Sequence, residues 1–299
     1  MQAMAFSSGE SAAAGGATLP SAPRLTASEA GLLVAILRDH CGLSIPAENR
    51  SFLELRLGRR LRNLGLTSFS PYIALLLGAE GATERQFLAE SLVTHTTSFF
   101  RERAHFDWLN DEGLPALAQQ GTGRISDLVV WSAACSTGQE LWTAAILLDR
   151  ACRGPLGRLR WTVVGTDLSR SALRRAQGAT YSEEEIAGLP EDWRSDYLLR
   201  SSRPVGGRHV FRIIPELRRR AQFHQINLLD PGRMPGITAD IIFLRNVLIY
   251  FDLPDQGRVI HQLCTRLRRG GYLLTGHSES LVQPPPGLVP VQPSIYRKD

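Results

Sequence analysis

Lysine is almost missing from this 299-residue chain: of its 34 lysine and arginine residues only Lys298 is a lysine. The arginines fall in local clusters, and the net charge of +5 is modest. No single basic face or aromatic platform emerges, so nucleic acid is not expected as a partner. Cysteine is equally sparse. Cys41, Cys135, Cys152 and Cys264 are scattered without C-x-x-C spacing, which argues against a disulfide framework and reads as free thiols in a reducing cytoplasm. No group of His, Cys, Asp and Glu has metal-ligand spacing, so no metal is expected. No apolar run approaches the roughly 20 residues that span a bilayer. The N-terminus also lacks a basic region followed by an apolar core, the mark of a signal peptide. Membrane insertion is therefore not expected, and a monomer is.

The composition, 43% hydrophobic and 21% charged, is that of a soluble globular protein long enough to bury a real core. Residues 1–24 are rich in Ala, Gly, Ser and Pro, and a disordered tail is expected there. Thr26-Ala27-Ser28-Glu29 reads as a capping box, opening a helix with Leu32, Leu33, Ile36 and Leu37 at helical spacing. A second helix is expected from about Ala47 to Leu64, and shorter ones at Pro71–Leu77 and Ala82–Val93. Residues 25–93 thus form a helical domain, and 94–124 a linker with a helix. From 125 to 299 strands and helices alternate, as a parallel sheet requires. Leu253–Arg269 reads as a helix ended by Gly270-Gly271 before the strand at Tyr272. Between about 194 and 226 short segments (Tyr197-Leu198-Leu199, His209-Val210-Phe211, Gln222-Phe223-His224) suggest a small antiparallel insertion.

The most informative stretch is Val130 to Glu140. A buried strand empties into a turn of small residues closing on Gly138, and a helix follows at once. Ligands of open α/β sheets sit at such strand ends, where small residues let backbone N–H groups approach. A second strand, Trp161 to Gly165, ends in Thr166-Asp167, placing a carboxylate where ribose hydroxyls can be held. Ser136, Gly138 and Asp167 therefore describe a nucleoside pocket. The turn is not G-x-G-x-x-G, so a dinucleotide is not favoured.

As a set these motifs resemble those of the CheR-type chemotaxis receptor methyltransferases. Thr94-His95-Thr96-Thr97-Ser98-Phe99-Phe100-Arg101-Glu102 is similar to that family's T-N-x-T-x-F-F-R-E. Trp131 to Gly138 resembles its W-S-A-x-C-S-T-G turn, and Thr166-Asp167 and Ala176 to Tyr181 its T-D and A-x-x-G-x-Y. Asn227-Leu228-Leu229, Phe243 to Phe251 and Gly276-His277-Ser278-Glu279-Ser280 follow in the family's order. The resemblance covers residues 26 to 298. It implies a small all-helical N-terminal domain, then a doubly wound Rossmann-like methyltransferase domain carrying a small antiparallel β insertion.

The resemblance also implies S-adenosyl-L-methionine as cofactor, with O-methylation of glutamate side chains on chemoreceptors or similar signalling proteins. His95, Thr97, Arg101, Ser136, Gly138 and Gln139 fall at cofactor-contacting positions, as do Glu140, Asp167, Asn227, Leu228, Arg245 and Asn246. Arg101 and Tyr250 correspond to residues beside the transferred methyl. Arg56, Arg59 and Arg60 share one face of the second helix; in the family such a face meets acidic receptor helices. His277 and Glu279 read as stabilisers of the strand-end loop. Four residues depart from the family pattern. His95 stands for asparagine, Gln139 for glutamate, and Leu141 and Trp142 for proline and tyrosine. A glutamine offers the cofactor's cationic end only a dipole, so weaker cofactor binding is expected. A catalytically weakened S-adenosylmethionine sensor, or an interaction protein using only its basic helical domain, stays open at this level.

Overall fold

The computed structural model describes residues 23–154, 156–281 and 283–299; the expected disordered tail lies almost wholly outside them. Helix α1 (Ala27–Cys41) opens on Thr26. The Thr26 side chain accepts from the Glu29 N–H, and the Glu29 carboxylate accepts from the Thr26 N–H, so two orphan donors are satisfied reciprocally. Helices α2 (Arg50–Asn63), α3 (Phe69–Leu77) and α4 (Ala82–Leu92) follow. Their apolar faces (Leu33, Leu37, Leu53, Leu57, Tyr72, Leu88) do not close on themselves. The same hydrophobic cluster continues through Trp131, Val164, Ile242 and Leu273 on one face of the sheet.

Helices α5 (Arg103–Trp108) and α6 (Leu114–Gln119), joined by a π-helical turn at Leu109–Gly113, lead to the sheet. Then come β1 (Leu128–Ala133), α7 (Gln139–Arg153), β2 (Trp161–Asp167), α8 (Arg170–Gly178) and β3 (Thr180–Ser182). After α9 (Glu191–Tyr197), β4 (Leu198–Arg200), β5 (Val210–Ile213) and α10 (Pro215–Arg218), the chain returns to the sheet with β6 (Ala221–Gln225) and β7 (Ala239–Leu244). It ends with α11 (Leu253–Arg266), β8 (Leu267–Thr275), β9 (Leu288–Gln292) and β10 (Ile295–Lys298).

The seven-stranded sheet has the order β6-β2-β1-β7-β8-β10-β9. The first five strands are mutually parallel, and β10 and β9 add antiparallel. The chain winds outward from β1 through β2 to β6, then crosses back to β7 and β8. Strand order therefore reverses between β1 and β7, and in an open parallel sheet the ligand crevice opens at that reversal.

Two expectations change. The small antiparallel sheet is β3-β5-β4, so it takes in Thr180–Ser182. Gln222-Phe223-His224 is instead part of β6, which pairs in parallel with β2 through Val163↔Ala221 to Asp167↔Gln225. Its polar edge-strand composition hid its membership of the main sheet. Likewise Gly270-Gly271 does not end α11. The helix stops at Arg266, and the glycines lie inside β8, where the register against β7 shifts between Ala239 and Ile241. Gly270 there adopts φ 78°, a conformation glycine takes without a Cβ penalty.

The helical unit and the α/β unit are joined by polar contacts. Glu90 of α4 accepts from the Arg170 N–H at 3.1 Å and from the Ser169 and Ser171 hydroxyls at 3.1 Å each. A carboxylate is thereby set at the N-terminus of α8, where the helix dipole favours it. Gln86 donates to the Leu168 carbonyl, and the Ser44 N–H to the Tyr250 carbonyl. At the α1 C-cap, Gly42 has φ 77° and an added Cβ would lie 1.8 Å from Leu229 Cδ1. The left-handed φ favours glycine here, and any larger residue would also displace the Leu229 side chain.

Candidate active site

The turn after β1 is held by its neighbour strand. Ala134 and Cys135 donate N–H bonds to the Thr166 carbonyl, and the Ser136 N–H reaches Asp167 Oδ2 at 2.8 Å. The second Asp167 oxygen accepts from the Ser169 N–H at 2.9 Å. Each carboxylate oxygen keeps a further lone pair for a hydroxyl. Burial pushes the Asp167 pKa up, and the Ser169 and Ser136 N–H bonds oppose that only in part. Gly138 closes the turn at φ 96°, with Ala176 Cβ 2.9 Å from where a Cβ would sit. Any side chain there would collide as α7 begins.

Two adjoining chambers open above these strand ends. The first is polar, lined among others by His95, Thr97, Arg101, Ser136, Glu140, Asp167, Arg245, Asn246 and Tyr250. The second is apolar, lined by Cys41, Leu43, Leu168, Ile226, Asn227, Leu228 and Phe251. Val93, Ala134, Asp167, Val247 and Tyr250 belong to both. Cys41, Leu43 and Val93 come from the helical unit, which therefore supplies one wall of the cleft.

Of the residues expected at the cofactor, Gly138 and Gln139 do not line either chamber. Gln139 is 2% exposed; its Oε1 accepts from Thr137 Oγ1 at 2.7 Å and its Nε2 donates to Glu185 at 3.4 Å. The residue following it, Glu140, faces the cleft instead. Leu141 and Trp142 are buried in the core, where Trp142 Nε1 donates to the Ala176 carbonyl. The expectation that Gln139 weakens the hold on a cationic ligand loses its geometric basis.

The floor of the polar chamber is a buried charge network. Arg245 has a side chain 1% exposed and lies 3.1 Å from both Glu102 and Glu140; it also donates to the Arg101 carbonyl. Glu102 accepts in addition from Asn246 Nδ2 at 3.1 Å. The two carboxylates respond differently to the shared guanidinium. Burial raises the Glu140 pKa and Arg245 compensates only in part. For Glu102 burial is outweighed by Arg245, Asn246 and His277 together, which hold it below the ordinary carboxylate value. Glu279, 7% exposed, accepts from the N–H groups of Asn246 at 2.6 Å, Gly276 at 3.0 Å and Ile249 at 3.2 Å. It clamps the loop that carries Asn246 and Tyr250.

This network holds strained backbone. Among the described residues, seven that are not glycine have positive φ, and five of them gather here: Phe100, Glu102, Ala134, Ser136 and Asn246. Such conformations cost about 1–3 kcal/mol each and persist where the surroundings over-determine them. Glu279 holds the strand-end loop as its motif suggested, whereas Glu102 is the residue the sequence under-read. It lay inside a quoted motif, but nothing in its spacing shows that it meets the Arg245–Asn246 strand end.

Arg101 lines the polar chamber and carries one side-chain hydrogen bond among the described residues, to the Thr96 carbonyl at 2.7 Å. Arg56 and Arg59 are exposed on α2. Arg60 is not available in the same way: it grips Glu84 through Nε at 2.9 Å and Nη2 at 2.5 Å and lies over the Phe87 ring. Its geometry serves the α2–α4 contact.

A doubly wound sheet, a carboxylate at the tip of its second strand, an apolar slot and a charged chamber define a nucleoside-dependent group-transfer enzyme. The donor set fits S-adenosyl-L-methionine: apolar walls for a base, Asp167 for vicinal hydroxyls, and Glu140, Arg101 and Arg245 around an amino-acid end. Residues 95–291 match the SAM-binding domain of the CheR methyltransferases, and residues 29–93 match their all-alpha domain. The chain belongs to the CheR methyltransferase family, and its cofactor is S-adenosyl-L-methionine. It is 35% identical to the chemotaxis protein methyltransferase of Klebsiella aerogenes, over 90% of this chain and 89% of that one. It is 37% identical to chemotaxis protein methyltransferase 2 of Pseudomonas aeruginosa, over 81% and 82%. With the Escherichia coli chemotaxis protein methyltransferase it shares 35% identity over 82% of each chain.

Proposed function

We propose that this methyltransferase esterifies glutamate side chains on the cytoplasmic helices of chemoreceptors or similar signalling proteins. The observation that carries this reading is the polar chamber itself, with Arg101 and Tyr250 in its lining, while the Ser136 hydroxyl there is bonded to the His95 carbonyl and not to its imidazole. The bound cofactor supplies an electrophilic methyl group on a sulfonium. A glutamate carboxylate has an ordinary pKa of about 4.3, so the nucleophile is already ionised near neutral pH. The chain's residues need only align it, and alignment alone is worth up to roughly 7–11 kcal/mol in ideal cases. Arg101 orients the incoming carboxylate without pairing so tightly that it quenches it. Tyr250, on the loop clamped by Glu279, fixes the methyl side.

The exposed Arg56 and Arg59, beside Arg62 and Leu55 on α2, suit an acidic helical partner. No helix of the described residues is long and apolar enough to cross a membrane, in keeping with a cytoplasmic enzyme meeting the receptor's soluble part. Transfer of labelled methyl from S-adenosylmethionine to a purified receptor cytoplasmic domain tests the reading. The label is expected to be released as methanol by mild alkali, as an ester is. An alkali-stable label, or cofactor binding with no transfer, would sink it.

A further inference from the structure

One group of side chains beside the cleft shares Glu102 with the charge network of the polar chamber and adds two histidines that the chemistry above does not use. Glu102 and His105 stand three residues apart at the start of α5, and His277 follows β8; their candidate ligand atoms all lie within 4.8 Å of one another. His105 Nδ1 is 3.5 Å from Glu102 Oε2, and His277 Nε2 is 4.0 Å from the same oxygen. The two imidazoles stack with ring centroids 4.8 Å apart and planes 22° apart. His105 is 2% exposed, yet neither of its ring nitrogens has a hydrogen-bond partner. A buried polar group left so requires an explanation, because each orphaned group costs a desolvation penalty.

We propose that Glu102, His105 and His277 form a binding site for a divalent transition metal of the zinc class. Two imidazoles and a carboxylate are a recurrent ligand set for such ions, with a fourth position left to water. Ligand atoms around a tetrahedral ion at about 2.0–2.1 Å stand somewhat over 3 Å apart. The Glu102–His105 spacing already meets that; His277, half exposed and now stacked on His105, would have to rotate out of the stack to complete the set. Arg245 also contacts Glu102, which weakens the carboxylate as a ligand. Glu140 answers the charge of that arginine from its other side, so the Glu102 charge is not wholly spent. The fold explains why sequence spacing missed the set: two ligands sit before β1 and the third after β8.

The proposal stands on this geometry and not on the methyl-acceptor reading. Purified full-length protein titrated with Co2+ is expected to develop weak d–d absorption that saturates at a single equivalent, without a thiolate-to-metal charge-transfer band. Zn2+ should displace the signal and raise the thermal midpoint. His277→Ala and His277→Gln, at an exposed position, should abolish both effects while keeping the unliganded midpoint. Absence of Co2+ binding, binding that survives in both variants, or a thiolate band that traces the ion to a cysteine would overturn the site.

Discussion

The two chambers of the cleft are built on opposite principles. The apolar one is a gap between ordinary hydrophobic side chains of two units, such as Leu43 and Leu228, on a backbone mostly free of strain. The polar one rests on buried carboxylates around one guanidinium and, among the described residues, on most of the positive-φ positions outside glycine. The first needs only shape, which many side chains supply. The second needs each partner, because a buried charge that loses its counterion is expensive. A tolerant surface suffices to grip an apolar group, whereas the carboxylate alignment proposed above would require a rigid one.

The largest effect expected from this contrast is at Arg245. Arg245→Ala leaves Glu102 and Glu140 buried without their shared partner and should destabilise the protein by about 3–5 kcal/mol, measured by urea denaturation. A loss below about 1 kcal/mol, the scale of a surface pair, would mean that the chamber tolerates change as its apolar neighbour does. Arg101→Ala should behave in the opposite way. Its side chain is partly exposed and has a single hydrogen bond among the described residues, so stability should hardly move while turnover on the proposed receptor glutamate falls on the order of 100-fold, about 2.7 kcal/mol of barrier. Turnover within about twofold of the parent would refute the orienting role.

The legible parts of the sequence share a physical character. The Thr26 capping box, the β1 and β2 strands and the Asp167 tip are each written in a short continuous segment, where period and turn chemistry act locally. What was misread depends on contacts distant in sequence. β6 carries polar residues, and only pairing with β2 makes it part of the main sheet. Arg60 has the same helical spacing as Arg56 and Arg59, but α4 brings Glu84 beneath it. Glu102 reads as one acidic residue after Arg101 until the strand end after β7 brings Arg245 and Asn246 against it. The resemblance supplied the cleft positions, but could not say that Gln139 turns from the cleft while Glu140 enters it.

A smaller effect belongs to the junction that sets one wall of the cleft. Burial alone would raise the Glu90 pKa, but hydrogen bonds from Gln86, the Arg170 N–H and the Ser169 and Ser171 hydroxyls outweigh it and hold the carboxyl below its ordinary value. A depressed carboxylate contributes stability that is fully present above its unfolded pKa, near 4.3, and lost as pH falls through the folded value. Glu90→Gln should cost about 1 kcal/mol at pH 7 and flatten the acid limb of the stability curve. Glu90 also raises the pKa of nearby Asp167 by its charge, so the variant should ease Asp167 ionisation. An acid limb unchanged in Glu90→Gln would show that the junction is held by its apolar contacts.

The smallest effect expected on cofactor binding is the most direct test of the contrast. Gln139→Glu restores the residue type usual in the family, and a purely electrostatic reading of the turn expects tighter binding of a cationic ligand. In this fold the new carboxylate would lie outside both chambers, buried against Glu185, whose Oε1 is 3.4 Å from Gln139 Nε2. Two like charges so placed raise each other's pKa. Affinity for S-adenosylmethionine by calorimetry should therefore stay within about threefold, under 1 kcal/mol, while the thermal midpoint falls. A tenfold gain in affinity at unchanged stability would return residue 139 to the cleft. It would also show that the polar chamber reaches further along α7 than Glu140.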